Sequence, residues 1–372
     1  MIFFDVFAKE ARRLLRDFSV LVVCIIGPLA YFFLYPAPYA NDVIKTQKIA
    51  IIDEDKTQLS SLLSFFAGAS PDIHIKTHAT SITQAQKLLE QGEIFGILYI
   101  PKGFEEKTLL QSSPNLAFLA NSSYFLIYGA IINGLHDATE ALNPTIREKQ
   151  RLLYGIHSPH YQIQKDLIEL KSSPLFNPSL GYINYALAAV FVVILHQMIL
   201  VGMGIFGSNY QGYANPLSLM FSRLILFGVI AIILFAFYFG FGFGFYGITR
   251  HANIQEFWLL SLTFIFSFVS FGNFFGSWIK KGYQATIIIL FCSLPLVFLL
   301  GFIWPSFAIP SPINTLVQFV PLFHGVNALL RLNEMGASLE SLHSYLIHLA
   351  VLGVFYSLLT ILILWIKQVK RI

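Results

Sequence analysis

Charged residues punctuate an otherwise apolar chain, and the gaps between them have a characteristic length. No Asp, Glu, Lys or Arg falls between Asp17 and Asp42, Lys171 and Arg223, Arg223 and Arg250, Glu256 and Lys280, Lys281 and Arg331, or Glu340 and Lys367. A helix rises ~1.5 Å per residue, so about 20 apolar residues cross a hydrocarbon layer of ~30 Å. One charge at mid-bilayer costs roughly 2.5–3.5 kcal/mol on insertion scales. The gaps therefore predict six spans, near Phe18–Leu34, Ile183–Ile205, Leu224–Tyr246, Phe257–Trp278, Ala285–Ile303 and Leu346–Trp365. The first is expected to stay uncleaved, because its apolar run outlasts a signal core and no small-x-small site precedes Tyr35 and Pro36. Residues 2–16 predict a surface helix: Phe3, Phe4, Phe7, Ala11, Leu14 and Leu15 recur at helical spacing. Lys9, Arg12, Arg13 and Arg16 take the other side, near anionic lipid.

Between the first two spans the pattern changes. Lys48–Asp53, Asp72–Lys76, Ile94–Ile100 and Asn115–Ala120 read as strands, with helical stretches at Gln58–Phe66, Ser81–Gln91 and Phe104–Leu110. From Ser122 to Lys171 a helical pattern is interrupted near Asn143-Pro144 and His157-Ser158-Pro159. This order predicts a compact α/β domain. The fold class is thus an α-helical polytopic membrane protein with six transmembrane helices and an inserted extracytoplasmic α/β domain. Its parts are 1–38 (interfacial helix and first span), 39–178 (the inserted domain) and 179–372 (spans two to six). The last part includes a short re-entrant region around 304–340.

Composition agrees with this reading. Hydrophobic residues are 56 % of the 372, charged residues 12 %, and mean hydropathy is +0.66. Soluble chains run near a quarter charged, so a water-soluble enzyme and a disordered chain are both excluded. Residues 39–178 hold 12 basic and 14 acidic side chains, against 12 and 6 elsewhere. The remaining basic residues form no stripe for nucleic acid. Lys9, Arg12, Arg13, Arg16, Lys280, Lys281, Lys367, Lys370 and Arg371 share one side if both termini are cytoplasmic, as the positive-inside rule favours. Arg223 is expected to snorkel to the headgroups on that side. Cys24 and Cys292 lie far apart in apolar runs and predict no disulfide.

Few residues promise chemistry. No P-loop is present, so this chain should not hydrolyse nucleotide. Gly202-Met-Gly204-Ile-Phe-Gly207 has the letters of a dinucleotide fingerprint but ends a membrane span, so close helix packing is the better account. His74 with His78, and His157 with His160, lack a ligand framework for metal. His196 and Gln197 in the second span and Asn273 in the fourth are candidate pathway or helix-packing groups, since polar side chains in lipid need partners. Leu300–Pro312, with Gly301, Pro305 and Pro310, and then Pro321, cannot form one long helix and predicts short segments dipping into the outer leaflet.

At these residues the sequence resembles the permease subunits of type-2 (ABC-2) exporters, in the subgroup with a large periplasmic domain after the first span. Leu299–Pro310, Pro321-Leu-Phe-His-Gly and Leu332–Ala337 resemble the family's segments around the last two spans. Ile49–Asp55 and Ile100–Glu105 resemble strand starts of its outer domain. The resemblance implies a multi-pass protein of the bacterial inner membrane, paired with a second permease chain and docked on a separate ATPase. ATP and magnesium would sit on that partner, with no cofactor, metal or catalytic residue on this chain. The cytoplasmic loop Phe206–Pro216 would engage the ATPase through Ser208, Asn209, Tyr210 and Gln211. The cargo would be hydrophobic or amphipathic, and a periplasmic adaptor and outer-membrane channel would carry it onward. The alternatives are a secondary transporter, which would need intramembrane carboxylates and repeats, and a membrane-anchored assembly or sensor protein.

Overall fold

Asp17 divides the first two helices of the computed structural model, which describes residues 3–39, 45–110, 115–120, 125–153, 181–208 and 215–369. Helix α1 (Phe3–Arg16) ends there, and the Asp17 carboxylate accepts the Val20 N–H at 3.2 Å to cap α2 (Phe18–Leu21). A wider π-helical turn, Val22–Ile26, leads into α3 (Gly27–Leu34). Pro28 has no N–H for a regular ladder, and ahead of it Gly27 donates five residues back to Val22. Together these pieces form the first candidate span, Phe18–Tyr39.

Among the described residues, five further helices are long and apolar enough to cross a bilayer. To describe them, the chain's elements are numbered in order through the inserted domain: β1 (Gln47–Asp53), α4 (Gln58–Ala69), β2 (Ile73–His78), α5 (Ile82–Glu90), β3 (Gly96–Ile100), α6 (Phe104–Leu109), β4 (Ala117–Ala120) and α7 (Phe125–Leu153). The second span is α8 (Ala188–Ser208), entered through a π-helical turn at Ile183–Leu187. The third runs from α9 (Pro216–Phe235) through the π-helical segment Ala236–Gly242 into α10 (Phe243–Tyr246). The fourth, fifth and sixth are α11 (Ile254–Trp278), α12 (Gly282–Leu299) and α15 (Leu339–Val369). Between the last two lie α13 (Ser311–Val317) and α14 (Pro321–Asn333), bent by 88° from one another.

Spans α8 and α11 are buried over most of their length and form the centre of the bundle. Their approach depends on glycine. A Cβ on Gly207 would stand 2.6 Å from the Gly276 backbone, Gly202 faces the Cys24 sulfur, and Gly204 faces the Ala285 methyl. The three glycines therefore admit α11, the first span and α12 respectively, as small-residue packing requires. Span three is stitched to span one by hydroxyls: Tyr238 donates to the Pro28 carbonyl at 2.5 Å and Tyr246 to that of Phe32 at 2.7 Å.

Residues Val43–Ser173 form a separate compact unit. Its sheet has the order β2-β1-β3-β4, with β1 parallel to β2 and β3, and β4 antiparallel to β3. Alternation along the strands sorts the core. Ile49, Ile51, Leu98 and Ile100 pack with Leu63 of α4 and with Ile131 and Leu135 of α7, whereas Ala50, Ile52 and Ile97 pack with Ala85 of α5. Helix α7 runs unbroken through Pro144, where the sequence predicts an interruption. Pro144 and Glu140 are both exposed, so water can meet the carbonyl that the missing N–H leaves. The expected break at His157–Pro159 lies outside the described residues.

Candidate coupling site

Helix α1 has three faces rather than two. Val6, Glu10 and Leu14 turn inward, with Val6 against Leu219 of α9 and Leu364 of α15. Phe4 and Leu15 are exposed on a second face; Lys9, Arg12 and Arg16 are exposed on a third. At 100° per residue these sets are about a third of a turn apart. The single apolar face read from the sequence is therefore split, because part of it packs on protein and part is left exposed.

The inward face carries an acid. Glu10 is 3 % exposed and Arg223, on the second turn of α9, is 2 % exposed. The Arg223 Nε donates to Glu10 Oε2 at 2.8 Å, and Arg13 Nη1 reaches Oε1 at 3.2 Å. Arg13 also donates to the Phe206 carbonyl, in the last turn of α8, and its guanidinium lies 4.0 Å from the centre of the Phe206 ring. Arg223 stands 5.6 Å from the same ring. Arg223 thus does not snorkel to the headgroups. Taking its charge out of water is tolerated only because a carboxylate meets it. One aromatic ring and two ion pairs join α1, the end of span two and the start of span three.

The neighbouring ends are tied in the same manner. Asn273 donates to the Met220 carbonyl at 3.0 Å, joining α11 to α9, and Lys367 donates to the Ser277 carbonyl at 2.6 Å, joining α15 to α11. Ser208 closes α8 by donating to the Ile205 carbonyl at 2.9 Å. Asn215 caps α9 by accepting the Leu217 N–H at 2.9 Å. Asn209, Tyr210 and Gln211, expected to contact an ATPase, lie outside the described residues. The Asn273 amide nitrogen makes the kind of contact a helix-packing group would make, while its Oδ1 finds no partner among the described residues.

His196 and Gln197 sit near the middle of α8, both buried. The His196 ring lies among Phe264, Phe268 and Phe271, with centroids 6.4, 5.6 and 6.4 Å away. Neither its ring nitrogens nor the Gln197 carbonyl oxygen finds a hydrogen-bond partner among the described residues. Among the described residues no hydrogen bond joins His196 to Gln197 or Asn273.

At the opposite end of the bundle the prolines act as punctuation. Gly301 has φ +92°, beyond the reach of ordinary L-residues, and Asn327 of α14 donates to the adjoining Leu300 carbonyl at 2.8 Å. Pro305 and Pro310 precede short helices, and Pro321 opens α14, where its absent N–H costs nothing. The break between α13 and α14 exposes carbonyls that protein must satisfy. His324 meets Gln318 O at 2.9 Å, and Tyr356 of span six donates to Phe319 O at 2.7 Å.

Among the described residues no group of three or more His, Cys, Asp or Glu is placed to hold a metal. In the inserted domain, the Asp55 carboxylate accepts the N–H groups of Gly103, Phe104 and Glu105 at 2.7, 3.1 and 3.0 Å. Partial burial opposes its ionisation, but the Thr57 hydroxyl and these N–H groups outweigh it and hold its pKa below the ordinary value. Glu105 is likewise held low, against its burial, by Lys149 at 2.6 Å, the Leu59 N–H and the Thr57 hydroxyl. These are structural caps and ion pairs.

Among the described residues, six candidate spans, two of them buried at the centre of the bundle, define a multi-pass membrane protein. Residues 18–362 match the family described as ABC-2 family transporter protein, and the chain belongs to that family. It is a membrane component of an ABC transporter, a transport subunit rather than a catalytic one. No curated protein matches the sequence.

Proposed function

We propose that this chain is the permease subunit of an ATP-driven exporter that moves a hydrophobic or amphipathic cargo out of the cytoplasm or the inner membrane. Two permease chains pair, and each docks a separate ABC ATPase that carries ATP and magnesium; this chain binds no cofactor. Both termini are cytoplasmic in a bacterial inner membrane, which makes residues 39–178 periplasmic and places α13 and α14 in the outer leaflet. A periplasmic adaptor and an outer-membrane channel receive the cargo.

The observation that carries this reading is the ion-paired junction of Glu10, Arg13, Arg223 and Phe206. It binds the last turn of α8, directly before residues 209–214, to α1 and α9. A push on that loop by a closing ATPase would therefore be felt by three elements at once. Packed, hydrogen-bonded ends transmit displacement better than separate lipid-facing helices do. The test is to replace Asn209, Tyr210 and Gln211 with alanine in the reconstituted transporter. The expected result is continued ATP hydrolysis with export reduced at least about tenfold, a coupling loss of ~1.4 kcal/mol. Unchanged export would remove the loop from the mechanism.

A further inference from the structure

We propose that the elbow between α1 and the first span is a binding site for the headgroup of one anionic phospholipid. A cleft of about 620 Å³ opens there, lined by Lys9, Arg12, Arg13, Arg16, Asp17, Phe18 and Ser19. The inference requires only that the chain spans a membrane, so it fails or survives separately from the exporter reading.

The charges in the cleft do not cancel. Arg13 is committed to Glu10 and the Phe206 carbonyl. The Asp17 carboxylate is engaged by the first turn of the span through the Val20 N–H. Lys9, Arg12 and Arg16 are exposed, follow one another at three- and four-residue spacing, and have no carboxylate partner among the described residues. They occupy about 10 Å along one helix face. Three cations converging on a cleft whose other wall is the first turn of a membrane span stand at the depth of lipid phosphates.

The adjoining apolar surface distinguishes a lipid from a free anion. Phe4, Leu15 and Phe18 are 76, 72 and 75 % exposed. Phe4 and Leu15 form the second outward face of α1, and Phe18 is itself a wall of the cleft. A phosphate alone would leave these side chains in water, whereas a phospholipid would bring acyl chain over them as its phosphate meets the cations. A lone acidic protein surface would match the charge but not the contiguous Phe and Leu. Holding α1 by its outer faces would also hold Arg13, and with it the junction to α8.

The test uses the full chain purified in mild detergent, with phosphatidylglycerol and phosphatidylcholine of identical acyl chains. Native mass spectrometry counts retained lipid. One phosphatidylglycerol per chain is expected, preferred about tenfold over phosphatidylcholine, as three cations near an anionic headgroup allow. The triple variant Lys9→Gln, Arg12→Gln, Arg16→Gln should abolish the preference, while Lys102→Gln with Lys107→Gln in the inserted domain should not. A charge-conserving variant, Lys9→Arg, Arg12→Lys, Arg16→Lys, guards against misfolding and is expected to keep the preference. Equal retention of the two lipids, or an unchanged preference in the triple variant, overturns the proposal. Displacement of the lipid by millimolar inorganic phosphate would reveal a bare anion site and also overturn it. So would a triple variant that sheds a co-purifying protein yet binds lipid as before.

Discussion

Glu10 is the residue on which the α1 end of the bundle turns. An acid three residues before an arginine on a basic helix reads in isolation as a solvated partner of Arg13 rather than as a buried group. Its partner Arg223 is 213 positions away, so no local pattern joins them. The signal that could have joined them was the solitary charge at 223 within an otherwise uncharged stretch, which needs a counter-ion if it is not at the surface. Breaking a buried pair costs up to about 3–5 kcal/mol: removing Glu10 takes from Arg223 its carboxylate, and removing Arg223 leaves Glu10 with Arg13 alone at 3.2 Å. Arg223→Met is therefore expected to lower the thermal midpoint of the purified protein sharply. The double variant with Glu10→Met should recover most of that loss, because two apolar side chains of similar length refill the space. Thermal unfolding in detergent of wild type, both single variants and the double variant closes the cycle. Equal and additive losses would mean that the pair is not an interacting unit.

At the scale of elements, contact between α8 and α11 rests on the absence of side chains at Gly207 and Gly276. Gly207→Leu should force the helices apart and break the path from Phe206 to the core, reducing folded yield in the membrane; Gly228→Leu, where nothing stands within 4 Å, should be tolerated. Fluorescence-detected size exclusion distinguishes the two. In the inserted domain, Asp55 ties α6 to the turn after β1. Because the folded pKa values of Asp55 and Glu105 are depressed, their contribution is present above the ordinary carboxylate range and is lost as pH falls through their folded values. Asp72, raised by burial and by Asp137, acts in the opposite sense. Asp55→Asn is expected to cost about 1–2 kcal/mol at pH 7, as loss of a charged helix cap does. It should also flatten the acid sensitivity of the domain. Hydrogen exchange at α6 in the full chain, corrected for intrinsic rates, measures both. Most of these elements were readable in the sequence. Charge gaps mark the spans because a buried charge is so costly, and strand alternation marks the sheet faces because one residue in two enters each core. Pro144 misled because proline breaks a helix only where its missing bond cannot be replaced, and that depends on exposure.

For the whole molecule, six spans and membership of the ABC-2 family give a transport subunit. The bend between α13 and α14 was foreshadowed by Pro305, Pro310 and Pro321, but not the Asn327, His324 and Tyr356 contacts that satisfy the broken backbone. His196 and Gln197 were legible as polar groups within a span. The placement of His196 among phenylalanines could come only from three-dimensional packing. The most direct test of the mechanism is reconstitution of the chain in vesicles with its cognate ATPase, following outward movement of a fluorescent amphipathic probe. Transport should require ATP and should vanish when the P-loop lysine of the ATPase is replaced. Movement driven by an ion gradient through this chain alone, or undiminished by the inactive ATPase, would contradict the account.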